Sequence, residues 1–213
     1  MLDVGVLISG SGTNLQAILD RIADGTLPCR VQVVISNRPA AQGLRRAEQA
    51  GVATHVLDHR GFPSREAFDG ALVEALRRAG VELVVLAGFD RLVTPVLLRA
   101  FPQRVLNIHP ALLPAFKGLH GQRQALEYGV RIAGATVHFV DEELDHGPIL
   151  VQGAVPVDPD DTEATLAARI LEIEHAIYPM AIRLLAEGRV TVEGRRVRVA
   201  GSRPPARSSL VVW

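Results

Sequence analysis

The feature that most restricts this chain is a series of short, largely apolar runs rich in branched residues, at 4–8, 31–35, 83–87 and 105–108, with helical stretches between them. Strands apolar on both faces must be covered on both sides, which is the condition of a parallel sheet lying between layers of helix. Leu15, Ile18, Leu19 and Ile22 recur at helical spacing after the first run. A second helical stretch, 40–50, ends at Gly51, and a third begins at Ser64 and stops at Gly80, both glycines suiting helix C-termini. Residues 53–57 read as a further strand. From Gly134 the pattern changes: 135–140 and 149–155 are joined by the acidic turn DEELDHG with no intervening helix, so they can pair antiparallel. Residues 160–187 predict one long helix, bent at Pro179 because proline lacks a backbone donor. Residues 191–199 alternate like a small hairpin, and 201–213 read as a mobile tail. The expected fold is α/β: a doubly wound, mostly parallel sheet with an antiparallel C-terminal portion and a long C-terminal helix.

A length of 213 residues favours one domain over two at ~150 residues per domain. Lys plus Arg (23) balances Asp plus Glu (23), so the bulk electrostatics of a nucleic-acid or membrane-surface binder are lacking, and any anionic ligand must be held locally. No stretch reaches the ~18 apolar residues of a membrane span, and the N-terminus does not read as a signal peptide; the expectation is a cytoplasmic protein. Cys29 is the only cysteine, which excludes an internal disulfide and predicts an inert thiol.

The loop Ser9-Gly10-Ser11-Gly12-Thr13-Asn14 joins the first strand to the first helix, where backbone N–H groups and the helix dipole favour an anion. Thr13 and Asn14 add side-chain donors near the helix start. Leu15 stands where a dinucleotide fingerprint needs its third glycine, and no lysine follows as a triphosphate loop requires, so a monophosphate fits better. The same loop would also serve as a plain capped turn. Asn107 and His109 sit two residues apart at the end of the fifth strand, so both side chains face one way, on the rim where open α/β sheets bind ligands. Asp145 lies in the later turn. Beside His109 its carboxylate would favour imidazolium, giving a group able to hold a developing oxyanion and move a proton. Amide, imidazole and carboxylate suit acyl transfer to an amine, without an acyl-enzyme since no Ser or Cys nucleophile is tied to them. Taken singly, each of the three also suits a structural role. The other histidines, His55, His59, His120, His138, His146 and His175, show no metal-ligand spacing and are expected to be surface or structural groups; no metal is expected.

The segments ISGSGTN, VLNIHPALLPAFKGLHG, GATVHFVDEELDHGPIL and EIEHAIYP together resemble the phosphoribosylglycinamide formyltransferase family over roughly 1–188. The resemblance implies a formyltransferase-like Rossmann variant, one domain over 1–200, and formyl transfer from 10-formyltetrahydrofolate as co-substrate to the amine of glycinamide ribonucleotide in purine synthesis. It implies a ribonucleotide site at Gly12, Thr13, Asn14, Leu171, Glu172, Ile173 and Glu174, with Glu174 on the amine. It implies a folate cleft of Arg65, Asp90, Arg91, Leu92, Val93, Asn107, Asp141, Glu142, Glu143, Leu144 and Asp145. The position of Asp90 is often apolar in that family. Partners would be these small molecules only, with the chain a monomer or homodimer. Other formyltransferases, acting on methionyl-tRNA or an amino sugar, formylfolate hydrolases, and a non-catalytic phosphometabolite-binding module are the alternatives; the other enzymes usually carry a further domain.

Overall fold

A computed structural model describes residues 1–201; the expected tail lies, apart from Gly201, outside the described residues. Five strands, β1 (Leu2–Ile8), β2 (Cys29–Ser36), β3 (Thr54–Val56), β4 (Leu83–Leu86) and β5 (Val105–His109), run parallel, and β6 (Ile132–Phe139) and β7 (Ile149–Pro156) extend the sheet antiparallel. The order is β3-β2-β1-β4-β5-β6-β7, so the chain reverses direction across the sheet between β1 and β4. That reversal opens a crevice beyond the strand ends, the usual ligand position in such sheets.

One face is covered by α1 (Thr13–Ala23), α2 (Gln42–Gln49), α5 (Gly121–Tyr128) and α6 (Glu163–Ala186), the other by α3 (Arg65–Arg78) and α4 (Pro95–Ala100), giving two apolar cores separated by the sheet. Cys29 lies in the first core, where burial pushes its thiol up to about 12, as an inert thiol requires. A hairpin of β8 (Val190–Glu193) and β9 (Arg196–Val199) stands apart from the main sheet.

Two helices were not expected from the sequence, α4 and α5. Both are too short for periodicity to declare them, although Thr94 caps α4 by accepting from the Val96 N–H and Pro95 fills its first turn. The long helix, α6, starts at a reciprocal cap between Thr162 and Thr165 and continues through Pro179, which is buried within it. Tyr178 is fully buried on this helix, and its one hydroxyl proton is shared between the carbonyls of Leu86 (2.9 Å) and Leu106 (3.2 Å), pinning α6 to the end of β4 and the start of β5. Tyr178→Phe should therefore lower unfolding free energy by about 1–2 kcal/mol in urea melts, because a buried donor is lost with little change in volume.

Candidate active site

Asn107 and His109 project from the last residues of β5, and the antiparallel register sets His138 opposite Asn107 and Thr136 opposite His109. Four polar residues thus share a patch of otherwise apolar strands. Asp145 reaches the same patch from the loop between β6 and β7. His109 is 4% exposed and Asp145 8%; Asp145 Oδ2 lies 3.3 Å from His109 Nδ1 and accepts from the Gly118 N–H at 2.8 Å. On the far side of the ring, His109 Nε2 donates to the Phe116 carbonyl at 2.8 Å. Both ring nitrogens thus face oxygen atoms.

His138, expected to be a surface or structural group, is not on the surface: it is 2% exposed and part of this cluster. Its Nδ1 donates to the Phe139 carbonyl (2.9 Å), which leaves Nε2 to accept from the Asn107 amide at 3.2 Å, and Asp145 Oδ1 lies 3.7 Å from that same nitrogen. Asn107, His138, Asp145 and His109 therefore share one polar cluster, in which Asn107 bonds His138 and Asp145 lies against both imidazole rings. The amide orientation of Asn107 follows: its nitrogen faces His138, with one N–H used and a second available to a ligand. The sequence signal that could have found His138 is its alternation with Thr136, the same two-residue polar spacing that marked Asn107 and His109. Thr136 donates to the Ala111 carbonyl and accepts from the Leu113 N–H, fixing the segment that leaves β5, in which the Leu113–Pro114 peptide is cis.

Burial pushes the His138 pKa down, outweighing its bond to Phe139 and the Asp145 charge. A depressed histidine pKa means that below the ordinary imidazole value, ~6.5, the unfolded chain takes up a proton that the fold refuses. Stability contributed by neutral His138 is complete above that value and falls as the pH drops toward the folded pKa. His138→Gln, which keeps an acceptor but cannot titrate, should flatten the loss of stability between pH 7.5 and 5.5 in paired denaturant melts.

The glycine loop lies where expected, between β1 and α1. Gly12 is the N-cap residue at φ 70, and a Cβ there would stand 2.5 Å from the Cα of Gly43, so two glycines let α1 and α2 meet at the loop. Thr13 is half-buried at the helix start, but no side chain caps this helix. Asn14 turns inward: its Nδ2 donates to Glu174 Oε2 at 2.7 Å across 160 positions of sequence, and its Oδ1 is buried with no partner. The expected side-chain donor to an anion is therefore tied to α6, which leaves Thr13 as the other side chain expected to donate there. Burial raises the pKa of Glu174, and the Asn14 bond opposes that rise. A cleft of about 370 Å³ lies between Asn14, Gly88, Ile108, Pro110, Leu171 and Glu174, joining the loop to the end of β5. Glu172 is exposed and Ile173 packs toward β7 at Gly153, so of the four α6 candidates only Leu171 and Glu174 line it.

Arg46, not foreseen from sequence, reaches from α2 to donate to the Ser11 carbonyl (2.9 Å) and Gln16 (3.2 Å). It brings a guanidinium beside a cleft of about 510 Å³ next to Thr13 and His175. The residue was hidden because its relation to the loop depends on how α2 folds back.

The expected folate residues fall on two segments, one helix start and, for Asn107, strand β5. Arg65 is exposed at the start of α3, and Arg91 stacks its guanidinium 5.6 Å from the centre of the Phe68 ring. Leu92 (53% exposed) and Leu144 (48%) offer apolar surface to a ligand; Val93 is half-buried, as is Asp141, while Glu142 and Glu143 are exposed. Asp90 points away from the apolar role that its position often has. Its carboxylate accepts from Asn37 (2.9 Å), lies 2.8 Å from Ser9 Oγ and pairs with Arg38, while its own N–H donates to Ser9 Oγ. Burial raises the Asp90 pKa, but the bonds from Asn37, Ser9 and Arg38 outweigh it and the net shift is downward. The charge therefore braces the ends of β1, β2 and β4 to each other. Among the described residues no three potential metal ligands cluster, and no helix is long and apolar enough to cross a membrane.

An open α/β sheet bearing amide, imidazole and carboxylate groups at its strand ends is the frame of a group-transfer enzyme, and the formyl transferase family model matches residues 2–182. The chain is 45% identical to the phosphoribosylglycinamide formyltransferase of Escherichia coli (strain K12) over 204 residues, 96% of each. It is 45% identical over 187 residues to the trifunctional purine biosynthetic protein adenosine-3 of Homo sapiens, covering 88% of this chain and 18% of that one. Its fold matches the crystal structure of glycinamide ribonucleotide transformylase 1 from Symbiobacterium toebii with a TM-score of 0.92 at 61% identity, covering 93% and 94%. The chain belongs to the formyl transferase family, and within it to the phosphoribosylglycinamide formyltransferases.

Proposed function

We propose that this chain transfers the formyl group of 10-formyltetrahydrofolate to the amine of glycinamide ribonucleotide, in purine biosynthesis, with Asn107, His109 and Asp145 as its catalytic residues. The observation that carries the reading is the polar cluster of Asn107, His138, Asp145 and His109 on β5, β6 and the loop between β6 and β7, with a cleft lined by Ile108, Pro110, Asn14 and Glu174 running from the end of β5 to the glycine loop.

The ribonucleotide phosphate rests on the backbone of Gly12 and Thr13, with Arg46 nearby. Glu174 and the unpartnered Asn14 Oδ1 are both acceptors, so that end of the cleft fits a ligand rich in N–H or O–H donors such as the glycinamide portion. The amine attacks the formyl carbon. A C–N bond to the ribonucleotide forms, the bond to the folate nitrogen breaks, and the proton lost by the amine ends on that nitrogen. The formyl oxygen, which gains negative charge on the way, takes the free Asn107 N–H and the His109 Nε2–H, displacing the Phe116 carbonyl from the latter. Asp145 holds His109 in orientation through Nδ1.

Absorbance at the wavelength of released tetrahydrofolate, followed on mixing protein, formyl folate and glycinamide ribonucleotide, tests the reading. Turnover with this amine is the expected result. Turnover only with an amino sugar or methionyl-tRNA, or ribonucleotide binding without turnover, would overturn it.

A further inference from the structure

The β8–β9 hairpin lies beyond residue 182, where the family match ends, and its turn touches the loop that carries Asp145. Arg195 stands at that turn after Gly194. Its Nη2 donates to the His146 carbonyl at 2.7 Å, and its Nη1 lies 2.9 Å from His146 Nε2. Nη1 also lies 3.3 Å from His146 Nδ1, which itself lies 2.9 Å from Asp141 Oδ2. A carboxylate only accepts, so Nδ1 carries the proton and Nε2 accepts from the guanidinium. Asp141 Oδ1 in turn accepts from the Glu143 N–H at 3.1 Å. Arg195, His146 and Asp141 therefore form one contact group that joins the two ends of the 141–146 loop and ties them to the hairpin.

Within that loop Asp145 has φ 47, a left-handed conformation that costs a non-glycine residue energy and persists only where surrounding contacts hold it. The Gly118 N–H and His109 hold its side chain from inside. Arg195 is the tie from outside, and it grips main chain one residue after Asp145. The hairpin is itself anchored: Val192 and Val197 pack against the main core, and the Ala200 N–H donates to the Arg189 carbonyl at its base.

We propose that Arg195 is a positioning residue: it fastens the 141–146 loop through His146 and thereby sets the folate side of the site. The inference rests on the reading of that loop as a folate wall. A purely structural arginine would affect stability and both substrates alike; a positioning arginine affects the folate side selectively. Arg198 supplies the control, since its partner Glu193 is within the hairpin.

The test is steady-state kinetics and thermal melting of Arg195→Ala, His146→Ala, their combination, and Arg198→Ala. Loss of a charge-assisted hydrogen bond that acts through a loop should raise the KM for formyl folate roughly five- to ten-fold in Arg195→Ala. The ribonucleotide KM should stay within about two-fold, and the double variant should raise the folate KM by less than the product of the two single effects, because the contact between the guanidinium and the His146 ring is shared by both residues. Arg198→Ala should leave the folate KM at its parental value. An unchanged folate KM in Arg195→Ala, with the parent protein active, would overturn the role of Arg195 alone. Equal rises in both KM values with a Tm fall matched by Arg198→Ala would do the same. A parent protein with no formyl transfer would overturn the folate reading and this inference with it.

Discussion

Asn107→Ala is expected to lower kcat about 100-fold or more while leaving ribonucleotide affinity near its parental value, the usual consequence of losing one preorganised oxyanion donor, roughly 3 kcal/mol. The amide is well placed for that role. One of its N–H groups is consumed by His138, so the amide cannot rotate freely, and the other is left for a ligand. In the proposed reading the ribonucleotide is held near Asn14 and Glu174, in a cleft that Asn107 does not line. Stopped turnover with isothermal titration of the ribonucleotide separates the two effects. A variant that turns over at the parental rate would remove Asn107 from the mechanism.

Gly147→Ala carries the second large effect, on both stability and activity. A Cβ at this position would lie 1.9 Å from the Phe139 carbonyl oxygen and 2.9 Å from its carbon, so the strand end or the loop must move. The Phe139 carbonyl is the group that accepts from His138 Nδ1, and Gly147 stands two residues after Asp145. Relief of the clash therefore disturbs the tautomer of His138 and the seat of Asp145 together. We expect a loss of about 3 kcal/mol or more in denaturant melts, in the range of forced backbone movement at a tight packing site, with kcat falling in parallel. Normal stability and normal kcat would show that the 141–147 loop relaxes without cost to the site.

The two cases differ in how visible they were in the sequence. Asn107, His109 and Asp145 stood out because polar groups in apolar strands, or beside Gly-Pro in a tight turn, are chemically out of place. Gly147 could be read only as a turn glycine; that its missing Cβ accommodates a carbonyl eight residues earlier is a matter of how β6 and β7 pack. His138 went unmarked because a lone histidine in a strand has no partner until register sets it opposite Asn107. Asn14 was assigned to the anion loop from its place near the helix start, whereas α6 brings Glu174 against it and redirects its amide. The bend expected at Pro179 likewise does not divide α6, whose burial against the sheet carries it through the proline.

Local chemistry determined the alternation of buried strands and helices, the place of the glycine loop, the antiparallel end of the sheet and the three residues given catalytic roles, because periodicity and residue type act over a few positions. Tertiary packing alone decided the fourth member of the cluster, the partners of Asn14 and Asp90, and the reach of Arg46 and Arg195. Each of those depends on two segments far apart in the chain meeting at hydrogen-bond distance, and such distances are set by sheet order and helix packing, which no short stretch of sequence encodes by itself.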